Sequence, residues 1–145
     1  MLEAIDKLTT AKLDSIMERY NLTTILLFGS ASRGDFNEAS DMDIAVIGKQ
    51  PLELDDKLKL ELYFEDIADK EIDLIDLNDE YLDIFVKIQA LNDGKVIYST
   101  DNNQLLDKCI DDTEHYYRIN ESFYARRRRD LLSWMRNVYG ELLQI

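Results

Sequence analysis

Residues 27–46 read Leu27-Phe28-Gly29-Ser30-Ala31-Ser32-Arg33-Gly34-Asp35-Phe36-Asn37-Glu38-Ala39-Ser40-Asp41-Met42-Asp43-Ile44-Ala45-Val46. A Gly-Ser pair closes one apolar run, ten residues intervene, and Asp41-x-Asp43 opens a second. Thr23 to Phe28 and Asp41 to Ile47 have strand length and composition, and each run exits at a glycine, Gly29 and Gly48. In an extended strand residues two apart share a face, so Asp41 and Asp43 present their carboxylates side by side. Carboxylates that close repel each other unless a cation lies between them. Magnesium suits the position, because it takes hard oxygen ligands and is held by one or two carboxylates together with substrate phosphates. Gly29 lets the backbone approach a phosphate, and Ser30 offers a hydroxyl and an N–H at a candidate helix start. Taken singly, Gly-Ser is ordinarily a turn and Asp-x-Asp a solvated surface. Their fixed spacing between two strands is what joins them into one site.

A third acid extends the pattern. Glu71-Ile72-Asp73-Leu74-Ile75-Asp76-Leu77 sets carboxylates inside an otherwise apolar strand, where a polar group is costly without a role or a partner. Asp73 and Asp76 differ in parity and point to opposite faces, so only one can join Asp41 and Asp43. Asp73 is the first candidate and Asp76 the reserve.

Around this centre the periodicity predicts an amphipathic helix over 11–20, with Leu13, Ile16, Met17 and Tyr20 on one face and Thr10 as N-cap. It predicts further helices over 55–67 and 81–91, and a last strand over 95–98 after the Asn92-Asp93-Gly94 turn. Two helices over 103–139 break near Ile119-Asn120. The expected fold is α/β (α+β), a small mixed sheet flanked by helices, with residues 1–99 as the domain and 100–145 as a C-terminal helical extension that packs on the domain or docks a partner.

The 145 residues suffice for one domain, and 46% hydrophobic content excludes disorder for its bulk. No apolar run approaches the ~18 residues of a membrane span. An acidic N-terminus unlike a secretion signal, together with a lone Cys109, makes cytoplasm the expected location. The net charge is −13, and residues 1–99 carry 10 basic against 22 acidic residues, whereas 100–145 carry 7 against 8. Such a surface repels nucleic acid and attracts a basic partner, so any anionic substrate must be met by bound cations or a few placed donors.

Gly29, Ser30, Asp41, Asp43 and Asp73 together resemble the minimal nucleotidyltransferases (MNT) of the DNA polymerase β-like superfamily. The likeness extends through Arg33-Gly34 and Ser40 and reaches Asn92 to Tyr98, covering roughly residues 10–98. It implies a two-magnesium transfer of a nucleoside monophosphate from a nucleoside triphosphate to a hydroxyl. In that scheme Asp41, Asp43 and Asp73 are catalytic and hold the Mg2+ ions, while Gly29, Ser30 and Arg33 grip the phosphates. Arg33 equally suits an ion pair with Asp35 or Glu38. Small acidic stand-alone members resemble the MNT antitoxins of HEPN/MNT toxin–antitoxin pairs. That resemblance implies AMP transfer from ATP to a tyrosine of a HEPN ribonuclease toxin held in a hetero-oligomer. The alternatives are an antibiotic-type small-molecule nucleotidyltransferase and an antitoxin that acts by binding alone.

Other conspicuous residues have ordinary readings. His115 has no second histidine beside it and reads as surface or partner contact, and Cys109 as a small packed residue. Arg126 to Arg129 wrap around a helix and read as a solvated segment or a docking patch. Trp134 and the tail tyrosines Tyr116, Tyr117, Tyr124 and Tyr139 read as packing residues or interface anchors.

Overall fold

Leu22–Phe28 is buried at every position and forms β1, the strand around which the computed structural model is organised. The structure describes residues 2–29 and 41–143. Strand β1 pairs antiparallel with β2 (Met42–Gly48) on one side and with β4 (Lys95–Ser99) on the other, while β2 pairs parallel with β3 (Ile72–Asp76). The sheet order is therefore β3-β2-β1-β4. A strand with neighbours on both sides and helices on both faces must be apolar on both faces, which is why β1 and most of β2 read as continuous hydrophobic runs.

Helices α1 (Leu2–Thr10), α2 (Asp14–Arg19) and α3 (Leu54–Ala68) supply one apolar layer. Ala4, Leu8, Met17, Leu60 and Phe64 pack there against Ile25, Ile44 and Leu74. On the other face Leu26, Phe28, Ala45 and Ile47 meet Ala90 of α4 (Ile84–Asp93) and Leu106 of α5 (Gln104–Ile119). The chain divides into two compact units, residues 1–111 and 112–145. In the second unit the end of α5 is followed by α6 (Glu121–Leu143), and the Tyr117 and Tyr124 rings stack 5.6 Å apart across Asn120. Among the described residues no helix is long and apolar enough to cross a membrane.

Two boundaries differ from the sequence reading. The helix expected over 11–20 is the shorter α2, and it is preceded by α1, which the sequence reading did not contain; Thr10 belongs to α1, and its hydroxyl donates back to the Asp6 carbonyl at 2.7 Å instead of capping the next helix. The residue ahead of α2 is Leu13, buried in the core. The helix expected over 81–91 begins later, at Ile84. The Asp79 carboxylate accepts from the Tyr81 N–H at 2.9 Å, holding a turn, and Asp83 caps the helix by accepting from Phe85 N–H at 2.8 Å. Tyr81 is left 88% exposed. The break expected near Ile119-Asn120 is where α5 ends and α6 begins.

The loop that follows β2 is tied to the end of β3 by side chains. Buried Asp76 accepts from Leu52 N–H at 2.7 Å and from Asn78 N–H at 2.9 Å. The Asn78 amide in turn bonds both the N–H and the carbonyl of Gly48, each at 3.0 Å. Removing the carboxylate leaves two part-buried amide donors without their acceptor. Asp76→Ala is expected to lower unfolding free energy by about 2–3 kcal/mol in urea denaturation. A change within about 0.5 kcal/mol would show that water replaces the carboxylate without cost.

Candidate active site

The acids of β2 and β3 reach one end of the sheet through register. In the parallel β2–β3 ladder Asp43 stands directly opposite Asp73, with Ile44 opposite Leu74 and Val46 opposite Asp76. Directly opposed residues share a face, so the Asp43 and Asp73 carboxylates lie on the same side of adjacent strands. That side is the one from which Ala45 and Ile47 enter the smaller core cluster. Asp43 is half-buried and Asp73 exposed, so the pair sits where the apolar layer gives way to water. Asp41 lies one residue ahead of β2 and is exposed.

Gly29 closes the site from β1. Phe28 pairs with Asp43, and the next residue, Gly29, has φ 71°, the left-handed region that glycine enters without strain. A Cβ at Gly29 would collide with the Asp43 Oδ2. Glycine is therefore required twice, once by the backbone angle and once by the carboxylate packed against it. The sequence signal for this contact was only the glycine at the strand exit, since its neighbour lies 14 residues on and is set by the β1–β2 register.

Parity separates Asp73 from Asp76 as the alternation required. Asp73 is exposed on the Asp43 side, whereas Asp76 is buried on the opposite side and spent on two backbone amides. Ser30 and Arg33 lie outside the described residues. Of the site residues read from sequence, the structure brings together Gly29, Asp43 and Asp73, with Asp41 next to the start of β2.

Among the described residues no group of three or more acids, histidines or cysteines is gathered closely enough to cage a metal ion. The donor set is nevertheless one that magnesium accepts. It consists of hard carboxylate oxygens on adjacent strands at a water-facing sheet end, and magnesium needs only one or two of them when phosphates and waters supply the rest.

The family model for polymerase beta nucleotidyltransferases matches residues 11–103. The chain belongs to that family. The match runs from the approach to α2 through β4 and contains every strand and both acids of the register pair. Among curated relatives, the protein adenylyltransferase MntA of Thermococcus cleftensis is 35% identical over 74 residues, 51% of this chain and 75% of that protein. A protein of Methanocaldococcus jannaschii, provisionally named a protein adenylyltransferase, is 35% identical over 63 residues, 43% of this chain. The match spans 64% of that relative's length, just under two thirds. Among solved structures, a chain from a toxin–antitoxin complex with AMP-PNP superposes with a TM-score of 0.63 at 23% identity, over 86% of this chain and 98% of its own. A chain from the complex of tri-AMPylated Shewanella oneidensis HEPN toxin with MNT antitoxin gives 0.59 at 24% identity, over 86% and 96%. These superpositions show the shared fold.

Gly29→Ala tests the contact between β1 and the acid pair. The added methyl forces either the Asp43 carboxylate or the strand end to move, and a displacement of about 1 Å at a reacting centre can cost about 100-fold in rate. Nucleotide turnover is expected to fall by at least that order, and the urea midpoint to drop modestly as well, because the left-handed φ strains any residue that carries a Cβ. Turnover within about threefold of the parent would mean that the carboxylate has room to shift without effect.

Proposed function

We propose that this protein is an antitoxin-type protein adenylyltransferase that moves AMP from ATP to a tyrosine hydroxyl of a HEPN-type ribonuclease toxin in the cytoplasm. The observation that carries the reading is the register pair Asp43 and Asp73 beside Gly29 at the open end of the sheet. The names of the relatives supply the acceptor class, and the chain's acidity supplies the sign of the partner. With 22 acids against 10 bases in residues 1–99, the domain attracts a cationic protein surface and repels nucleic acid.

In this reading Asp41, Asp43 and Asp73 would hold two Mg2+ ions. Bound magnesium offsets the negative charge of the triphosphate and makes the acceptor hydroxyl more acidic. The protein's own groups do the rest. Gly29 and Ser30 admit the phosphates close to the backbone, and Arg33 contacts them from the segment that follows. The acceptor oxygen attacks the α-phosphorus, an O–P bond forms as the bond to the leaving pyrophosphate breaks, and the hydroxyl proton passes to the Asp73 carboxylate. Asp43, half-buried and wedged against Gly29, is the fixed ligand, while exposed Asp73 faces the incoming acceptor.

The substitutions separate chemistry from scaffold. Asp41→Asn with Asp43→Asn, and Asp73→Asn alone, are expected to abolish transfer with the fold intact, whereas Asp76→Asn chiefly affects stability. Near-native transfer by the Asp41/Asp43 double variant, or a larger loss from Asp76→Asn than from Asp73→Asn, removes the proposed metal site. ATP is expected to bind only with magnesium present, because a triphosphate otherwise enters a site of like charge. Calorimetry with and without a chelator measures this, and equal affinity in both would point to a separate basic pocket.

The acceptor is tested by intact-mass spectrometry of a HEPN toxin partner after incubation with this protein, ATP and magnesium. Added AMP on tyrosine, in step with loss of ribonuclease activity, is the expected result. A fully inhibited but unmodified partner would favour action by binding alone, and modification of a small alcohol with no effect on the toxin would favour the antibiotic-type reading.

A further inference from the structure

The peptide that joins Glu71 to Ile72 is held from both sides. Its carbonyl accepts from the Met42 N–H at 3.1 Å, which ties it to the first residue of β2. The peptide is trans, so its N–H points away from its carbonyl, off the outer edge of β3, the last strand of the sheet among the described residues. There the Ile72 N–H donates to the Glu65 Oε1 of α3 at 3.2 Å. Asp73 follows Ile72 directly. A helix carboxylate thus fixes the peptide that leads into an acid of the candidate site.

The position explains why such a tie matters. An edge strand is bonded to the sheet on one side alone, and the ends of elements are the first parts of a fold to open locally. Strand β3 runs only from Ile72 to Asp76, so Asp73 stands next to its start. The other end is already anchored, where Asp76 accepts from the Leu52 and Asn78 amides. Burial of Ile72 and Leu74 sets the register and face of the strand, but it does not prevent the start from swinging outward from β2. Glu65 closes that freedom from a rigid base, since its neighbours Phe64 and Ala68 lock α3 into the core. Asp69 then takes a left-handed φ of 51°, which ends the helix and turns the chain back toward β3.

We propose that Glu65 is a positioning residue for nucleotide transfer, holding the start of β3 so that the Asp73 carboxylate keeps its place beside Asp43. It acts through the Ile72 amide and not on the substrate. The inference rests on the reading of Asp73 as the carboxylate that faces the acceptor. The contact requires an acceptor atom and not a charge, so Glu65→Gln is expected to preserve it. Glu65→Ala removes it with little harm to α3, because the side chain is only half-buried and alanine is the strongest helix former.

Hydrogen exchange and kinetics on the full chain test the role together. By NMR, the Ile72 amide is expected to be protected in the parent and in Glu65→Gln, and to exchange about tenfold faster in Glu65→Ala. With a HEPN toxin as acceptor, kcat is expected to fall about tenfold in Glu65→Ala while KM for ATP stays within about twofold, because a displaced Asp73 costs rate and leaves the phosphate contacts at Gly29 in place. Glu65→Gln is expected to restore kcat to within about threefold of the parent. Asp76→Asn loosens the opposite end of β3 and controls for stability; it is expected to lower the urea midpoint at least as far as Glu65→Ala and to keep kcat near the parent value. Unchanged exchange at Ile72, an unchanged kcat in Glu65→Ala, or an equal loss of kcat in Asp76→Asn overturns the proposal. A Glu65→Gln variant as slow as Glu65→Ala overturns it in favour of a role for the charge. A parent that transfers at full rate after Asp73→Asn instead overturns the reading of Asp73, and the role of Glu65 in transfer falls with it.

Discussion

Register between β2 and β3 is the constraint on which the site depends. Both faces of this small sheet are covered by apolar side chains, so a carboxylate can ionise in contact with water only near a strand end. The parallel pairing puts Asp43 opposite Asp73 at that end. A slip of one residue would exchange faces throughout β3, sending Asp73 into the layer formed with α3 and Ile72 and Leu74 toward water. The apolar residues of β3 therefore hold its acid in place. Ile72 and Leu74 are buried, and the energy of keeping them so is what fixes the position of Asp73.

The same strand shows how environment divides chemically identical groups. Asp76, three residues after Asp73, has its two oxygens committed to amides at the opposite end of β3. There it joins Asn78 in holding the turn after β2, on a part of the fold remote from Gly29. Such a carboxylate is a structural acceptor, and its burial is offset by the bonds it receives. Asp73 is exposed and free of that architecture's demands, which leaves its oxygens available for chemistry at the sheet end.

Charge distribution connects the domain to its surroundings. An excess of acids over the first two thirds of the chain sets up a negative potential that favours cations, whether small ions or a basic protein surface. The arginines of α6 are the exception in composition and stand on a separate compact unit.

By itself the sequence determined the alternation of strands and helices, the acidic character, and the motif of Gly29, Asp41, Asp43 and Asp73, because hydrophobic period and local spacing are written directly along the chain. It also implied that Asp73 and Asp76 cannot share a face, since parity needs no partner strand. Helix starts were less legible where side chains bond the backbone locally: Thr10 turns back onto Asp6, and Asp79 and Asp83 delay the start of α4. What tertiary structure alone decided was which residues meet across strands. That Asp43 faces Asp73, that Gly29 abuts the Asp43 carboxylate, and that Asp76 is the buried member of its pair all follow from the order β3-β2-β1-β4 and its registers. Those pairings are set by burying every apolar face of the sheet at once, a condition on the whole chain that no local stretch of sequence contains.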